Sequence, residues 1–346
     1  MTLSRDDLLE REMTLNEPEL RKLLDKPVSF TLRQIFGHNL KSQVSLSRFT
    51  TSRVGGAAEF FLEASTAEQL GSFVTQLWIV NIPFKIIGGG SNILVSDEGL
   101  KGVVILNRVA SRKGVRFETG IQPPTVWVDS GVNFSLLARL AAQLGFSGLE
   151  WAVGIPGTVG GAVVGNAGAQ GDDMAGCLLV ADILQRNQTI QTGMPERAFW
   201  TVDELGYAYR DSRLKRIAGE AVVLKAQIRL EKSDREAVQA KMNELKASRH
   251  KKQPIGASMG SMFKNPPDDF AGRLIEAAGL KGKRIGDAEI SGLHANFFIN
   301  KGHATAEDIY KLIQVAQKSV LEKFGVKLEL EIELLGNFES LLGQSI

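Results

Sequence analysis

The stretch from Trp151 to Gly171 contains no charged residue, and it constrains this chain more than any other. It is apolar enough to suggest a membrane span, yet it carries Pro156 and seven glycines. A spanning segment must hold ~20 apolar residues as one helix, and glycine and proline are the poorest helix formers. Buried loop and turn are therefore expected here. The stretch contains Gly154-Ile155-Pro156-Gly157-Thr158-Val159-Gly160-Gly161, which has a counterpart upstream, where Ile86-Ile87 empties into Gly88-Gly89-Gly90-Ser91-Asn92. A diphosphate is held by backbone N–H groups at close range, and glycine removes the obstructing side chain and tolerates positive φ. Both loops are read as diphosphate cradles, with plain tight turns as the alternative. Neither has GxGxxG spacing or a Gly-Lys-Ser/Thr ending, so a dinucleotide fold other than Rossmann or P-loop is required.

With 346 residues, 43% of them hydrophobic and 23% charged, the chain is long enough for two or three domains with real cores. A net charge of +2 gives no general reason to bind nucleic acid. The start, MTLSRDDLLEREM, is too charged for a signal peptide. Cys177 stands alone, which excludes a disulfide, and its apolar neighbours suggest a core residue. His38, His250, His294 and His303 have no ligand spacing, so no metal site is expected.

Residues 1–44 read as an extension, with a surface helix over 6–24. A mixed α+β region follows over 45–232, and a further domain over 233–340. Strands are expected at 58–64, 84–87, 102–106, 125–128 and 222–230. Ser65 and Glu68 suggest a capping box before a helix reaching Trp78, and Ser233 and Glu236 another before a helix reaching Arg249. A helix spans Asn133 to Leu144, with Gly145 as its stop. Thr305 and Asp308 open a long helix ended by Gly325. Lys327 to Leu335 then reads as an alternating strand, which would put Glu329, Glu331 and Glu333 on one face. Basic clusters at 249–252 and 281–284 are solvated faces or anion contacts in a cleft. Arg210, Ser261 and Glu331, taken singly, look like surface residues.

In order along the chain, several segments together resemble the UDP-N-acetylenolpyruvoylglucosamine reductases of bacterial peptidoglycan synthesis. They are Thr51-Ser52-Arg53-Val54-Gly55-Gly56, the two glycine loops, Asn166-Ala167-Gly168-Ala169 and Tyr209-Arg210-Asp211-Ser212. Gly260-Ser261 through Pro266, His294-Ala295-Asn296-Phe297, Ala304-Thr305-Ala306 and Leu328-Glu329-Leu330-Glu331 complete the set. The resemblance implies an α+β fold, with a two-part FAD-binding domain of the vanillyl-alcohol-oxidase type and a C-terminal α/β substrate domain. It implies FAD and NADPH as cofactors, a UDP-sugar substrate, and a cytoplasmic enzyme with no nucleic-acid or membrane partner, plausibly a monomer. It carries catalysis to Arg210, Ser261 and Glu331. Cofactor contacts fall to Arg53, Gly88, Gly89, Gly90, Ser91, Asn92, Gly154, Ile155, Pro156, Gly157, Thr158, Gly160, Gly161, Asn166, Ala167 and Gly168. Substrate contacts fall to Tyr209, Arg210, Lys264 and Asn265. The short span from Val222 to Pro254 looks like the subclass without an inserted tyrosine-bearing loop. A flavin oxidase of the same fold, or a non-catalytic sugar-nucleotide sensor, is the competing reading.

Overall fold

The computed structural model describes residues 15–109, 112–186 and 195–338. Its first part is built on a strand, Ala57–Ala64, that buries apolar residues on both faces. Leu62 and Ala64 enter one cluster while Phe61 enters another, as the two-residue period of a strand requires. The neighbouring strand Leu100–Asn107 repeats the division, with Val103 and Ile105 on one side and Val104 and Leu106 on the other. A sheet buried on both faces suits parallel pairing. The order is Lys41–Ser45, Ala57–Ala64, Leu100–Asn107, Phe84–Ile87, antiparallel only at the first pair. Helices Val28–Phe36 and Ala67–Ile79 cover one face.

The N-terminal stretch is more than an appendage. Leu20, Leu32, Ile35 and Phe36 are buried in the same cluster as Leu70 and Leu77. Of the surface helix expected over 6–24, residues 6–14 lie outside the described residues, and the remainder holds a single short helix, Glu17–Arg21.

The second part is a five-stranded antiparallel sheet in the order Pro195–Thr201, Leu178–Arg186, Ala221–Arg229, Thr125–Asp129, Val115–Glu118. Helices Phe134–Gln143 and Val159–Gly165 pack on it, with Phe134 edge-on to Trp151 at 5.2 Å. The helix Arg235–Lys252 also belongs to this core through Val238, Met242 and Leu245. The third part is an antiparallel sheet, Ala257–Ser261, Phe297–Asn300, Ala288–Ile290, Arg284–Ile285, with helices Ala271–Ala277 and Ala306–Phe324 against it. The class is α+β, as the sequence indicates.

Two caps sit one residue later than the sequence suggests. Thr66, not Ser65, accepts from the Gln69 amide, and Asp234, not Ser233, accepts from that of Ala237. Each helix had two adjacent oxygen-bearing residues to choose from, and the one in extended conformation beside the first turn takes the role. The Thr305–Asp308 box is present as read. The expected strand over 327–335 is reduced to Glu333–Leu335, which pairs in parallel with Ile93–Val95 of the first part. Just before it the chain lies against another partner, with Lys264 N donating to Glu329 O and Glu331 N to Met262 O, both at 2.9 Å. Changing partners interrupts the ladder, so the two-residue alternation is lost there.

Candidate active site

The glycine loops touch. A Cβ on Gly89 would lie 2.6 Å from Gly157 Cα, and one on Gly88 would lie 2.4 Å from Thr158 Oγ1. Gly90, at φ +60°, has room only for a hydrogen against Phe49 O, 1.9 Å from where a Cβ would stand. Gly160 is similarly blocked by Ser130. These glycines therefore let the protein close on itself, a correction to the expectation that they chiefly clear space for a ligand. Only Gly154 and Gly161 have room beside them. Ser91 Oγ ties the loops by donating to Pro156 O at 3.1 Å, and Thr51 N donates to Gly90 O at 3.0 Å. Arg53 is exposed at the edge of that wrap.

The amides of Gly89, Gly90, Ser91, Asn92, Gly157 and Thr158 have no acceptor among the described residues. Gly90 and Thr158 are buried. Buried N–H groups are almost always paired, and unpaired successive amides in turns form an anion nest. The two loops thus fit a diphosphate. Beside them Arg249 is half-buried, with its side chain 3.9 Å from a Cβ on Gly154 and only a long contact, 3.5 Å, to Val153 O. Burial pulls its guanidinium below the usual arginine value. Of the 249–252 cluster, this residue points to the loop rather than to solvent.

Asn92 connects the cradle to the reactive groups. Its Nδ2 donates to Glu331 O at 3.0 Å, and its carbonyl accepts from Glu333 N at 2.9 Å. The three glutamates then separate clearly. Glu329 is 73% exposed beside Lys264, Glu333 is 53% exposed on Lys85, and Glu331 is 15% exposed on Arg210. Arg210 Nε donates to Glu331 Oε1 at 2.9 Å, and a terminal nitrogen donates to Gly168 O at 2.9 Å. Burial pushes the Glu331 carboxyl above the usual carboxylate range, against the opposing pull of Arg210, Lys215 and Lys264.

Arg210 and Tyr209 are the central residues of a tight turn closed by reciprocal Ala208–Asp211 bonds at 3.1 Å. Arg210 has φ +57°, a conformation that costs a non-glycine residue about 1–3 kcal/mol. Asn166 holds this turn. Its Nδ2 donates to Ala208 O and Asp173, and its Oδ1 accepts from Ala175 N. Asn166 and Gly168, expected at the cofactor, serve here as the mount of Arg210, and Ala167 is bonded locally to Ala162 and Met174. Ile155 N is likewise bonded within its own turn, to Ala152 O.

Ser261 ends its strand just after Gly260, whose φ of +77° accompanies a register shift against Phe297. Such bulges re-aim a side chain. The next two residues are pinned by Asn296, whose carbonyls accept from Met262 N and Phe263 N and whose Nδ2 donates to Phe263 O. Met262 O in turn receives Glu331 N, so Ser261, Glu331 and Arg210 share one neighbourhood. Asn265 already accepts from Ala271 N at 3.1 Å, and Tyr209 is 54% exposed at the rim. Sequence reasoning did not single out Asn296 or Lys215. Only the motif containing Asn296 gave a signal.

A paired-loop cradle joined to a covered arginine–glutamate pair, in a chain that matches an FAD binding domain family, is that of an FAD-dependent oxidoreductase. Residues 58–191 match the FAD binding domain family, and residues 251–335 match the UDP-N-acetylenolpyruvoylglucosamine reductase C-terminal domain. The chain is 44% identical over 303 residues to the UDP-N-acetylenolpyruvoylglucosamine reductase of Chloroflexus aggregans, covering 86% of this chain and 97% of that one. The Rubrobacter xylanophilus enzyme of the same name is 41% identical over 307 residues, 88% and 98% of the two chains. The crystal structure of UDP-N-acetylenolpyruvylglucosamine reductase from Thermus caldophilus superposes with a TM-score of 0.70 at 35% identity, over 86% of this chain and all of that one. The chain belongs to the UDP-N-acetylenolpyruvoylglucosamine reductase family.

Proposed function

We propose that Arg210, Glu331 and Ser261 carry out the reduction of UDP-N-acetylenolpyruvoylglucosamine to UDP-N-acetylmuramate, with NADPH as reductant. The observation that carries this assignment is the covered Arg210–Glu331 pair at 2.9 Å, tied through Asn92 to the loop of unpaired amides. A bound FAD would supply the hydride relay between NADPH and the terminal carbon of the enolpyruvyl double bond. Its diphosphate would lie on the amides of Gly89–Asn92, Gly157 and Thr158, with Arg249 as the neighbouring cation. One hydride and one proton add across the double bond, and NADPH leaves as NADP+.

Hydride addition places negative charge on the adjacent carbon and its carboxylate. Arg210 answers that charge, being always protonated and able to meet a carboxylate with two N–H groups. Glu331 as a carboxylate would repel it, but as a neutral acid it donates a hydrogen bond. Burial favours the neutral form. The Ser261 hydroxyl gives its proton to the carbanionic carbon and recovers one from solvent. A hydroxyl is a weak acid, and it serves here because the acceptor is strongly basic. Tyr209 and Lys264 line the approach of the sugar nucleotide.

The same reading has the enzyme acting in the cytoplasm, without nucleic acid or membrane. Among the described residues no helix is long and apolar enough to cross a bilayer. The test is the visible spectrum of the purified protein. Flavin bands should bleach with NADPH and recover on addition of the enolpyruvyl sugar nucleotide. Bands that recover only with oxygen, or that bleach with a sugar alcohol and not with NADPH, would refute it.

A further inference from the structure

Lys215 lies half-buried on the short helix Arg213–Arg216, three residues beyond the Tyr209-Arg210-Asp211-Ser212 motif. Its Nζ donates to the main-chain carbonyl of Arg210 at 2.7 Å. It forms no ion pair among the described residues. The charged groups that face it are Asp211 on its own segment, Glu331 and Glu333 on the returning chain, and Lys264 after the Ser261 strand. Desolvation and the like charge of Lys264 both pull its ammonium below the usual lysine value. Burying an ammonium to satisfy one carbonyl costs stability, and an apolar residue of the same length would be cheaper. The position makes sense if the bond serves the site.

The carbonyl it holds belongs to the one residue of the turn with positive φ. Fixing that carbonyl fixes the peptide plane after Arg210, and with it the direction in which the guanidinium leaves the backbone. We propose that Lys215 is a positioning residue for substrate reduction, bracing Arg210 through its carbonyl so that the guanidinium lies along Glu331. The inference rests on the roles given above to Arg210 and Glu331. A second effect follows from its charge. Glu331 is faced by Arg210, Lys215 and Lys264, so removal of Lys215 lets Glu331 hold its proton to higher pH.

The experiment compares Lys215→Met, Lys215→Arg and, as an outlying control, Lys225→Met, all as FAD-loaded enzyme. Lys215→Met should slow the step driven by the enolpyruvyl substrate ~10- to 100-fold, the effect of misplacing a catalytic group by a fraction of an ångström to one ångström. The fall should exceed that in the NADPH-driven step by at least ~10-fold. The alkaline limb of the substrate step should move to higher pH, and substrate affinity measured by titration without NADPH should weaken. The unfolding temperature should be no lower than wild type. Lys215→Arg should recover part of the rate and keep the limb where it was. A wild-type rate in Lys215→Met would overturn the proposal. So would equal losses in both steps with a lowered unfolding temperature, or an unmoved pH limb. Arg210→Lys and Glu331→Gln, run alongside, separate the failures. If they slow the substrate step and Lys215→Met does not, the brace is wrong and the site stands. If none of the three has an effect, the site itself is wrong.

Discussion

Alanine at Gly161 and at Gly89 should have opposite effects on the protein without cofactor. Gly161 lies in the first turn of the helix Val159–Gly165, and a Cβ there meets nothing closer than Thr158 Oγ1 at 3.6 Å. Alanine is favoured over glycine in a helix by up to about 1 kcal/mol. Gly161→Ala should therefore raise the unfolding temperature of the apoprotein by up to roughly 1–2 °C. The same methyl is exposed on the cradle side. If a diphosphate lies there, crowding costs about 1–3 kcal/mol, weakening FAD ~5- to 150-fold. Gly89→Ala places its Cβ 2.6 Å from Gly157 Cα, a backbone atom that cannot step aside. It should destabilise the apoprotein by about 1–3 kcal/mol and weaken FAD as well. Thermal unfolding of flavin-free protein and titration with FAD, followed by quenching of flavin fluorescence, give both quantities. An unchanged FAD affinity in Gly161→Ala would refute the placement of the cradle. A stable Gly89→Ala would refute the view that this glycine exists for loop packing.

Ser261→Ala should leave flavin reduction by NADPH intact and slow substrate reduction by at least ~100-fold, the lower range for a general acid; stopped-flow measurement of the two steps decides it. Glu331→Gln keeps a hydrogen-bond donor and should retain more activity than Glu331→Asp, with the reverse order counting against a protonated role. The raised carboxyl of Glu331 means that the folded state binds a proton more tightly than the unfolded state. Its contribution to stability is complete below the ordinary carboxylate value of 4.5 and is lost as pH rises through the folded value. Stability of Glu331→Gln relative to wild type should therefore increase with pH above that point, as followed by urea unfolding. Asp97→Ala removes acceptors for the Ala306 and Glu307 amides and should cost about 0.5–2 kcal/mol, seen as a lowered urea midpoint.

Much of the architecture was legible in the chain because it is written in local chemistry. Thr305 with Asp308 states where a helix begins, and Gly145 and Gly325, both at positive φ, state where helices end. The positions of the two glycine loops were equally clear. Their purpose was not, since it depends on Thr158, Gly157 and Phe49 approaching from elsewhere. Glu329, Glu331 and Glu333 are indistinguishable at two-residue spacing. What separates them is a change of strand partner, from Met262 to Ile93, which no short window contains. Lys215 carried no mark at all, because its role is a bond to a carbonyl five residues back, and only the fold of the Arg210 turn creates it.

The parallel pairing of Glu333–Leu335 with Ile93–Val95 sets an order of events during synthesis. The cradle strands, both glycine loops and Arg210 all leave the ribosome well before residue 331. The acid that faces Arg210 emerges more than a hundred residues later, just before the strand that pairs with Ile93–Val95. The Arg210–Glu331 pair is therefore complete only when nearly the whole described chain has been made. A shortened chain that stops before Glu331 can carry the amides of the cradle but has no acid opposite Arg210.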